Sequence, residues 1–288
     1  MPGTPRDLTV VVPAHNEGAG IRRLLDELTA PDAIDGGLGL LEVIVVCNGC
    51  TDDTAENART YGGDVRVIEM EEPSKAAAMV VGDEAATMPY RAYVDADIVI
   101  GRTGLSALLD QLDGGVDVTA PARQLSMTGA VRGVRWYYDV WVRLPSVATG
   151  VFGRGVVVLS PEGNARVRAL PRVMSDDLAA SEVFLPSERR VLDTVHAVIE
   201  VPRTMSDLVR RRIRIATGNA QLDGLGLRTD QARTRPADLV HIAMAGPTMP
   251  AKVAVFLAVT AVARTRARRR IRRGDFTTWL RDGSSRER

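Results

Sequence analysis

Short β-branched runs alternate with helical patterns along the first half of the chain, and this alternation constrains the fold most. The runs lie at residues 8–12, 43–46, 65–68, 92–94 and 116–120. Between the first two, apolar residues recur at helical spacing over residues 20–28. Strands too apolar to alternate, joined by helices, are typical of a parallel sheet covered on both faces. We therefore predict an α/β fold.

The second half has a less regular pattern. Its predicted elements are helices at residues 132–144, 176–184 and 206–217, strands at 156–159 and 191–201, and a mostly helical stretch over 236–273. Breaks in that last stretch are predicted near Gly246-Pro247 and at Pro250, because proline ends or kinks a helix.

Composition narrows the class of protein. The chain has 288 residues, of which 45% are apolar, enough for a sizeable core, and its net charge of +1 does not indicate a nucleic-acid partner. Two cysteines and an N-terminus without a secretory signal predict a reducing, cytoplasmic setting. We find no apolar run of the roughly 18–20 residues that a transmembrane helix requires.

Polar segments follow three of the predicted strands. They are residues 13–17 (PAHNE), 47–54 (CNGCTDDT) and 95–97 (DAD). Because the carboxyl ends of parallel strands share one edge of a sheet, where ligands bind, we expect these segments to lie together.

Asp95 and Asp97 occupy alternate positions after the fourth strand, so both carboxylates can point to one side. Paired hard oxygen ligands suit Mg²⁺ or Mn²⁺, which keep open positions for phosphate oxygens. Such a metal can neutralise the charge that grows on a departing diphosphate. The alternative is a solvated turn.

Four segments in this order resemble family 2 glycosyltransferases with the GT-A fold, a Rossmann-like, mostly parallel sheet flanked by helices. They are VVVPAHNEGAGIRRLLDEL, VIVVCNGCTDDTAENA, SKAAAM and YVDADIVI. The family patterns that they resemble are V-P-x-x-N-E, V-D-D-G-S-x-D-x-T, G-K-x-x-A-x-N and D-A-D. The resemblance covers residues 8–121 clearly and residues 150–220 more weakly.

This resemblance implies a nucleoside diphosphate sugar donor and a hydroxyl acceptor. It implies that Pro13, Asn16 and Glu17 line the nucleotide pocket, with Glu17 near the ribose or base. Asn48 would contact the base.

The resemblance also implies roles at the phosphates and the metal. Lys75 would lie beside the base or the phosphates. Asp95 would reach the ribose or a metal-bound water, and Asp97 would ligate Mn²⁺ or Mg²⁺.

Cys47 and Cys50 depart from the family pattern, which often has Asp and Ser there. A C-x-x-C pair at a strand-to-helix junction is also the position of a thioredoxin-like redox pair. Asn48-Gly49 between them is typical of a turn, and the flanking residues match the glycosyltransferase pattern better. Zinc is a weaker alternative, since only His15, His196 and His241 could complete its ligands.

The segment MSDDL in the second half resembles the family's E-D segment. By that resemblance Asp177, or next Asp176, takes the proton from the acceptor hydroxyl. The alternative is structural, with Ser175 as a helix N-cap and two acids favoured by the helix dipole.

Arg212 and Arg214 lie in a basic segment similar to one that often faces the diphosphate in this family. We predict that these two arginines bind the donor. A solvated helix face is an equal alternative for Arg210 and Arg211.

The C-terminal stretch combines apolar residues over 253–262 with seven arginines over 264–273. This pattern suits a helix at an anionic membrane surface, which would put the protein at the inner face of the cell membrane. A helix that docks on the core with its basic end in water fits equally well.

We therefore predict a GT-A domain over residues 1–235 and a helical, basic extension over 236–288. Within the domain, residues 8–121 would bind the nucleotide sugar and 122–235 the acceptor. The predicted reaction is metal-dependent sugar transfer, with inversion implied by the resemblance. Alternatives are a membrane-associated binding protein without turnover and a nucleotidyltransferase, although the latter needs a Gly-rich loop after the first strand.

Overall fold

The computed structural model describes residues 5–30, 38–171, 173 and 175–272, with the backbone alone at Asp176. The chain divides into two compact units built from interleaved segments. The first comprises Met1–Gln124, Val151–Arg172 and Val183–Ile199. The second comprises Leu125–Gly150, Val173–Glu182 and Glu200–Arg288.

Seven strands form one sheet in the order β3-β2-β1-β4-β6-β5-β7. Their bounds are β1 (Arg6–Ala14), β2 (Leu38–Asn48), β3 (Val65–Met70), β4 (Tyr90–Val94), β5 (Val118–Ser126), β6 (Val156–Leu159) and β7 (Arg189–Glu200). The pairs β1–β2, β1–β4 and β2–β3 are parallel, whereas β6 runs antiparallel to both β4 and β5. The predicted α/β fold with a mostly parallel sheet is confirmed.

Eleven α-helices accompany the sheet in the described part of the chain. They are α1 (Gly18–Thr29), α2 (Thr54–Arg59), α3 (Lys75–Ala85), α4 (Arg102–Leu109), α5 (Arg132–Trp141), α6 (Pro145–Thr149), α7 (Pro161–Arg168), α8 (Asp176–Glu182), α9 (Met205–Gly224), α10 (Pro236–Met244) and α11 (Met249–Ile271). The first unit contains α1 to α4 and α7, and the second contains the others.

Strand β2 buries side chains on both faces of the sheet, because alternate residues of a strand point in opposite directions. Val45 belongs to the apolar cluster that includes Leu24 of α1 and Leu105 of α4. Its neighbour Ile44 packs with Ala78 of α3 in a separate cluster. Helices therefore cover both faces, which explains why the central strands are apolar throughout.

Helix α3 approaches β1 closely at Gly82. A Cβ atom placed there would lie 2.3 Å from Cγ1 of Val11, which is fully buried. Valine is stiff about its first side-chain torsion, so Val11 has little freedom to move away. The glycine thus sets the distance between helix and sheet.

The second unit is organised around α11, which packs on α5 and α9. Phe256 of α11 stacks on Tyr137 of α5 with ring centroids 5.0 Å apart. Ile213 of α9 packs with Ala263 and Ala267 further along α11. The docked alternative for the C-terminal helix is therefore confirmed over the described residues.

The break predicted near Gly246-Pro247 falls between α10 and α11. Pro250 lies instead in the first turn of α11, where a missing N–H costs nothing, so it does not break the helix as predicted. Residues 273–288 of the predicted extension lie outside the described chain. No helix in the described ranges has the length and apolar character needed to cross a bilayer.

We expect Gly82→Val to lower the free energy of unfolding by about 1–3 kcal/mol, because the new side chain overpacks against Val11. Gly63→Val is the matched control, since a Cβ there has nothing within 4 Å. Urea denaturation of both variants provides the measurement. Equal losses at the two positions would contradict the close approach of α3 to β1.

Candidate functional site

The three polar segments predicted at strand ends lie together in the first unit. Strand β1 runs between β2 and β4, so its carboxyl end lies beside both of theirs. The register pairs Ala14 at the end of β1 with Cys47 near the end of β2. On the other side, a Cβ at Gly20 of α1 would lie 3.1 Å from the carbonyl oxygen of Ala96. The predicted convergence is confirmed.

The segment after β1 is held by side chains of the β2–α2 loop. Asn16 has a φ of 52°, in the left-handed region that asparagine tolerates. Its Oδ1 accepts a hydrogen bond from the Thr51 backbone N–H at 2.7 Å. The next backbone N–H, of Glu17, donates to Thr54 Oγ1 at 2.8 Å. These contacts fix the backbone positions of Asn16 and Glu17, two of the residues that are predicted to line the nucleotide pocket.

Asp52 joins the same two segments. Its carboxylate accepts the backbone N–H of Gly18 at 3.2 Å and that of Thr54 at 3.1 Å, together with the Thr54 hydroxyl. Burial raises the pKa of this carboxyl, but the hydrogen bonds outweigh burial, so the pKa lies below its ordinary value. The charged form of Asp52 therefore stabilises the folded loops.

Asn48 forms the joint between β1 and β2. Its side chain is 3% exposed, and Nδ2 donates to the carbonyl oxygen of Ala14 at 2.8 Å. Its own carbonyl oxygen lies 2.5 Å from Nδ1 of His15. The predicted contact of Asn48 with a nucleobase stays a prediction.

The start of α3 carries the predicted lysine. Ser74 caps this helix, since its hydroxyl accepts the backbone N–H of Ala77 at 3.2 Å. Lys75 follows directly, and its Nζ lies 2.7 Å from Oδ1 of Asp95. The helix thus brings a positive charge to the first carboxylate of the D-A-D segment.

The D-A-D segment forms a tight turn after β4. The Ile98 backbone N–H donates to the Asp95 carbonyl oxygen at 3.0 Å, and the Asp95 N–H donates to the Gly155 carbonyl oxygen at 2.8 Å. Gly155 has a φ of 69°, and a Cβ there would lie 2.3 Å from Cγ1 of Ile98. Ala96 is buried and Asp97 is exposed, so the turn presents Asp97 to solvent.

The D-A-D turn carries two carboxylates, Asp95 and Asp97, and Asp95 is ion-paired with Lys75. Among the described residues, no group of three or more His, Cys, Asp or Glu side chains could hold a metal ion. A closed zinc site needs about four protein ligands, so it does not fit here. Mg²⁺ fits, because it is usually bound through one or two carboxylates plus substrate phosphates, and Mn²⁺ takes the same oxygen ligands.

The two cysteines are free thiols beside this edge. Burial raises the pKa of the Cys47 thiol to about 12, so it is protonated at neutral pH. Cys50 Sγ accepts the backbone N–H of Asn16 at 3.4 Å. A reactive C-x-x-C pair requires a lowered thiol pKa, and the shift at Cys47 is in the opposite direction.

The predicted base lies in the second unit, at the start of α8. Asp177 is half-buried, and its Oδ1 accepts the backbone N–H of Leu178 at 2.8 Å. The side chain of Asp176 lies outside the described part of the structure. Ser175 precedes the helix, and a Cβ at Gly218 of α9 would lie 2.0 Å from its Oγ. Close packing on α9 therefore fixes the start of α8.

Helix α9 carries the predicted donor-binding arginines. The guanidinium carbon of Arg212 lies 5.5 Å from the ring centroid of Tyr137, in the same unit. Arg210 is ion-paired with Asp207 one turn earlier, as a structural role would require. Arg214 is half-buried. The donor contacts of Arg212 and Arg214 stay predictions.

Sequence reasoning missed the residues that hold the site in shape. Asp52, Thr54 and Gly155 make the contacts described above, and none was a predicted site residue. The T-D-D-T pattern after β2 signals a helix start. It carries no sign that the same side chains bind the segment after β1.

We expect the Asp52→Asn variant to lose stability most near neutral pH. The native pKa is lowered, so the carboxylate contributes its full stability above the unfolded pKa, near 3.8, and that contribution is lost as the pH falls below 3.8 and through the lower native pKa. The gap in unfolding free energy between wild type and variant should therefore narrow below about pH 4. Asp64→Asn, on an exposed turn, is the control. A gap that does not change with pH would contradict the assignment.

Comparisons with known proteins show which proteins this chain resembles. Residues 9–139 match the sequence model of glycosyl transferase family 2. The uncharacterized glycosyltransferase YibD of Escherichia coli (strain K12) is 26% identical over 189 residues, which are 55% of this chain. The uncharacterized glycosyltransferase Rv0539 of Mycobacterium tuberculosis (strain H37Rv) is 34% identical over 129 residues, or 45% of this chain. Each match spans 52% of the relative's length.

Two solved structures share the fold. The mannosyltransferase PcManGT of Pyrobaculum calidifontis, in complex with GDP-Man and Mn²⁺, has a TM-score of 0.61 at 23% identity, covering 94% of this chain and 80% of its own. Glucosyl-3-phosphoglycerate synthase of Mycobacterium tuberculosis, in complex with Mn²⁺, UDP and glucosyl-3-phosphoglycerate, has a TM-score of 0.54 at 20% identity, covering 78% and 82%.

The family match and the sheet agree with the four segments that suggested the resemblance. Residues 9–139 of this chain are therefore similar to glycosyl transferase family 2, and the chain shares the GT-A fold of the two solved structures.

Proposed function

We propose that the protein transfers a sugar from a nucleoside diphosphate sugar to a hydroxyl acceptor with the help of a divalent metal. The observation that carries this proposal is the turn that presents Asp97 to solvent beside the ion pair of Lys75 and Asp95. It lies at the sheet edge where open α/β sheets bind their ligands. Two structures of the same fold hold nucleotides with Mn²⁺.

At the donor end, Asp97 would ligate Mn²⁺ or Mg²⁺, and Asp95 would reach the ribose or a metal-bound water. The bound metal would neutralise charge on the departing diphosphate. Lys75 already lies 2.7 Å from Asp95, so its ammonium group is within reach of phosphates bound at the same carboxylates. Its positive charge would favour the same diphosphate.

The nucleoside would occupy the edge between β1 and β2. Pro13, Asn16 and Glu17 would line its pocket, and Asn48 would lie beneath the base. Support comes from two hydrogen bonds that hold this segment in place. The β2–α2 loop donates one of them to Asn16 and accepts the other from Glu17. Fixed backbone geometry reduces the entropy that donor binding would otherwise cost.

At the acceptor end, Asp177 would accept the proton of the acceptor hydroxyl while its oxygen forms the new bond to the anomeric carbon. The bond from that carbon to the diphosphate breaks in the same step, which inverts the configuration. Arg212 and Arg214 would face the diphosphate. Close packing of Ser175 on Gly218 supports the role of Asp177, because it fixes the start of α8 on the helix that carries both arginines.

We expect Asp97→Ala and Asp177→Asn to fail in different ways. Asp97→Ala should lose metal-dependent donor binding, because a metal ligand is gone. Asp177→Asn should keep donor affinity and lose about 10²–10⁴ in kcat, because an amide cannot accept the proton. Calorimetry with UDP-, GDP-, dTDP- and CDP-sugars and Mn²⁺ measures binding, and release of nucleoside diphosphate measures turnover.

Asp110→Ala, at the exposed end of α4, is the control and should leave both quantities unchanged. Full turnover in Asp177→Asn would remove that residue as the base. Donor binding that is equal with and without Asp97 would contradict the metal site.

We further propose that the basic end of α11 contacts an anionic membrane surface. Arg264, Arg266, Arg268 and Arg269 are exposed there. Most of the apolar stripe is used in docking on α5 and α9, but Leu257 is 48% exposed. Arginines near an anionic surface contribute about 1 kcal/mol each.

We expect the protein to cosediment with phosphatidylglycerol vesicles and not with phosphatidylcholine vesicles. The triple variant Arg264→Gln, Arg268→Gln, Arg269→Gln should bind about 100-fold more weakly, from about 1 kcal/mol for each arginine. A triple variant with the same charge, Arg23→Gln, Arg66→Gln, Arg190→Gln, is the control on the first unit. Equal binding to both vesicle types would contradict the proposal.

A further inference from the structure

An open cleft of about 390 Å³ lies between the carboxyl ends of β2 and β3, in the first unit. The register pairs Cys47 with Glu69, and the Gly49 backbone N–H donates to the Met70 carbonyl oxygen at 2.8 Å. The walls of the cleft are therefore fixed by main-chain pairing. Its lining residues are Cys47, Gly49, Cys50, Thr51, Glu69, Met70 and Glu71.

The side chains of this lining are acidic or weakly polar. Among the described residues, those that line the cleft include two carboxylates and no lysine, arginine or histidine. Glu69 is ion-paired with Arg59 of α2. Glu71 is exposed and forms no ion pair with a described residue. Glu71 is thus the carboxylate whose oxygens can accept hydrogen bonds from a ligand.

Nucleobases differ in what they can offer such a carboxylate. A carboxylate only accepts hydrogen bonds and has two oxygens to do so. Guanine presents two adjacent donors, its ring N1–H and its exocyclic amino group, which match those oxygens. Uracil and thymine present a single N–H between two carbonyl oxygens, which repel a carboxylate. Cytosine and adenine place an acceptor nitrogen beside their amino group.

We propose that the donor is a guanosine diphosphate sugar, and that Glu71 selects guanine by accepting hydrogen bonds from its N1–H and amino group. This inference rests on the proposed function, because the cleft adjoins the β1–β2 edge where the nucleoside is placed: Cys50 lines the cleft, and its Sγ accepts the Asn16 backbone N–H at that edge.

The rest of the lining suits the flat faces of a purine. Sulfur atoms pack favourably against aromatic rings, and the partly exposed Met70 and Cys50 line the cleft. Cys47 is a neutral thiol at physiological pH, so it adds no charge to the pocket. The charged groups that can select a base are therefore the carboxylates at the carboxyl end of β3.

Calorimetric titration of the full chain with GDP, IDP and UDP, each with Mn²⁺, tests the proposal. IDP lacks only the exocyclic amino group of GDP. Wild type should bind GDP about 5- to 150-fold more tightly than UDP, and more tightly than IDP, because a bidentate hydrogen-bonded pair discriminates between bases by about that factor. Glu71→Gln should remove most of both preferences, since an amide accepts through one oxygen only.

Glu72→Gln is the matched control, because Glu72 is the next residue, is exposed and does not line the cleft. Thermal unfolding of each variant checks that it is folded. A GDP preference that survives in Glu71→Gln would overturn the role of Glu71.

Two further results separate this inference from the proposed function. Tighter binding of UDP than of GDP by wild type would overturn the guanine assignment and leave a nucleotide-sugar transferase. If wild type binds none of the three nucleotides, the donor site itself is wrong and the inference fails with it.

Discussion

Parallel pairing of β1 with β2 on one side and β4 on the other is the constraint on which the site depends. It brings three loops that are far apart in sequence to a single edge of the sheet. One loop supplies Asn16 and Glu17, the second supplies Asp52 and Thr54, and the third is the D-A-D turn. A one-residue shift in register would turn the side chains of the shifted strand to the other face and would break the pairing of Ala14 with Cys47 at the site edge.

Two kinds of contact hold that edge in shape. Side chains of the β2–α2 loop bind the backbone after β1. They accept hydrogen bonds from N–H groups at the start of α1, which have no carbonyl partner within the helix. Glycines allow backbones to meet, as at Gly155 beside the D-A-D turn and at Gly82 against β1. This frame carries Asp97, which is exposed on the D-A-D turn, and Lys75, which is ion-paired with Asp95.

The sequence predicted the strands and the convergence of their ends, because both rest on local pattern: apolar runs and the polar residues that follow them. It missed α4, because this helix follows a glycine, which is not a distinctive signal for a helix start. The buried leucines of α4 are Leu105, Leu108 and Leu109. It predicted strand β6 but not its antiparallel direction in the sheet, because four apolar residues carry no sign of direction. Asp52 and Thr54 bind the segment after β1 through hydrogen bonds that span 34 and 37 positions in sequence. No local sequence pattern contains such contacts.

The most direct test of the central claim is thermal unfolding with UDP, GDP, dTDP and CDP, each with and without Mn²⁺. The account predicts that one nucleoside diphosphate stabilises the protein only when Mn²⁺ is present, by about 2.7 kcal/mol at 100 times its dissociation constant. No stabilisation by any of the four, with or without the metal, would contradict a donor site at the carboxyl edge of the sheet.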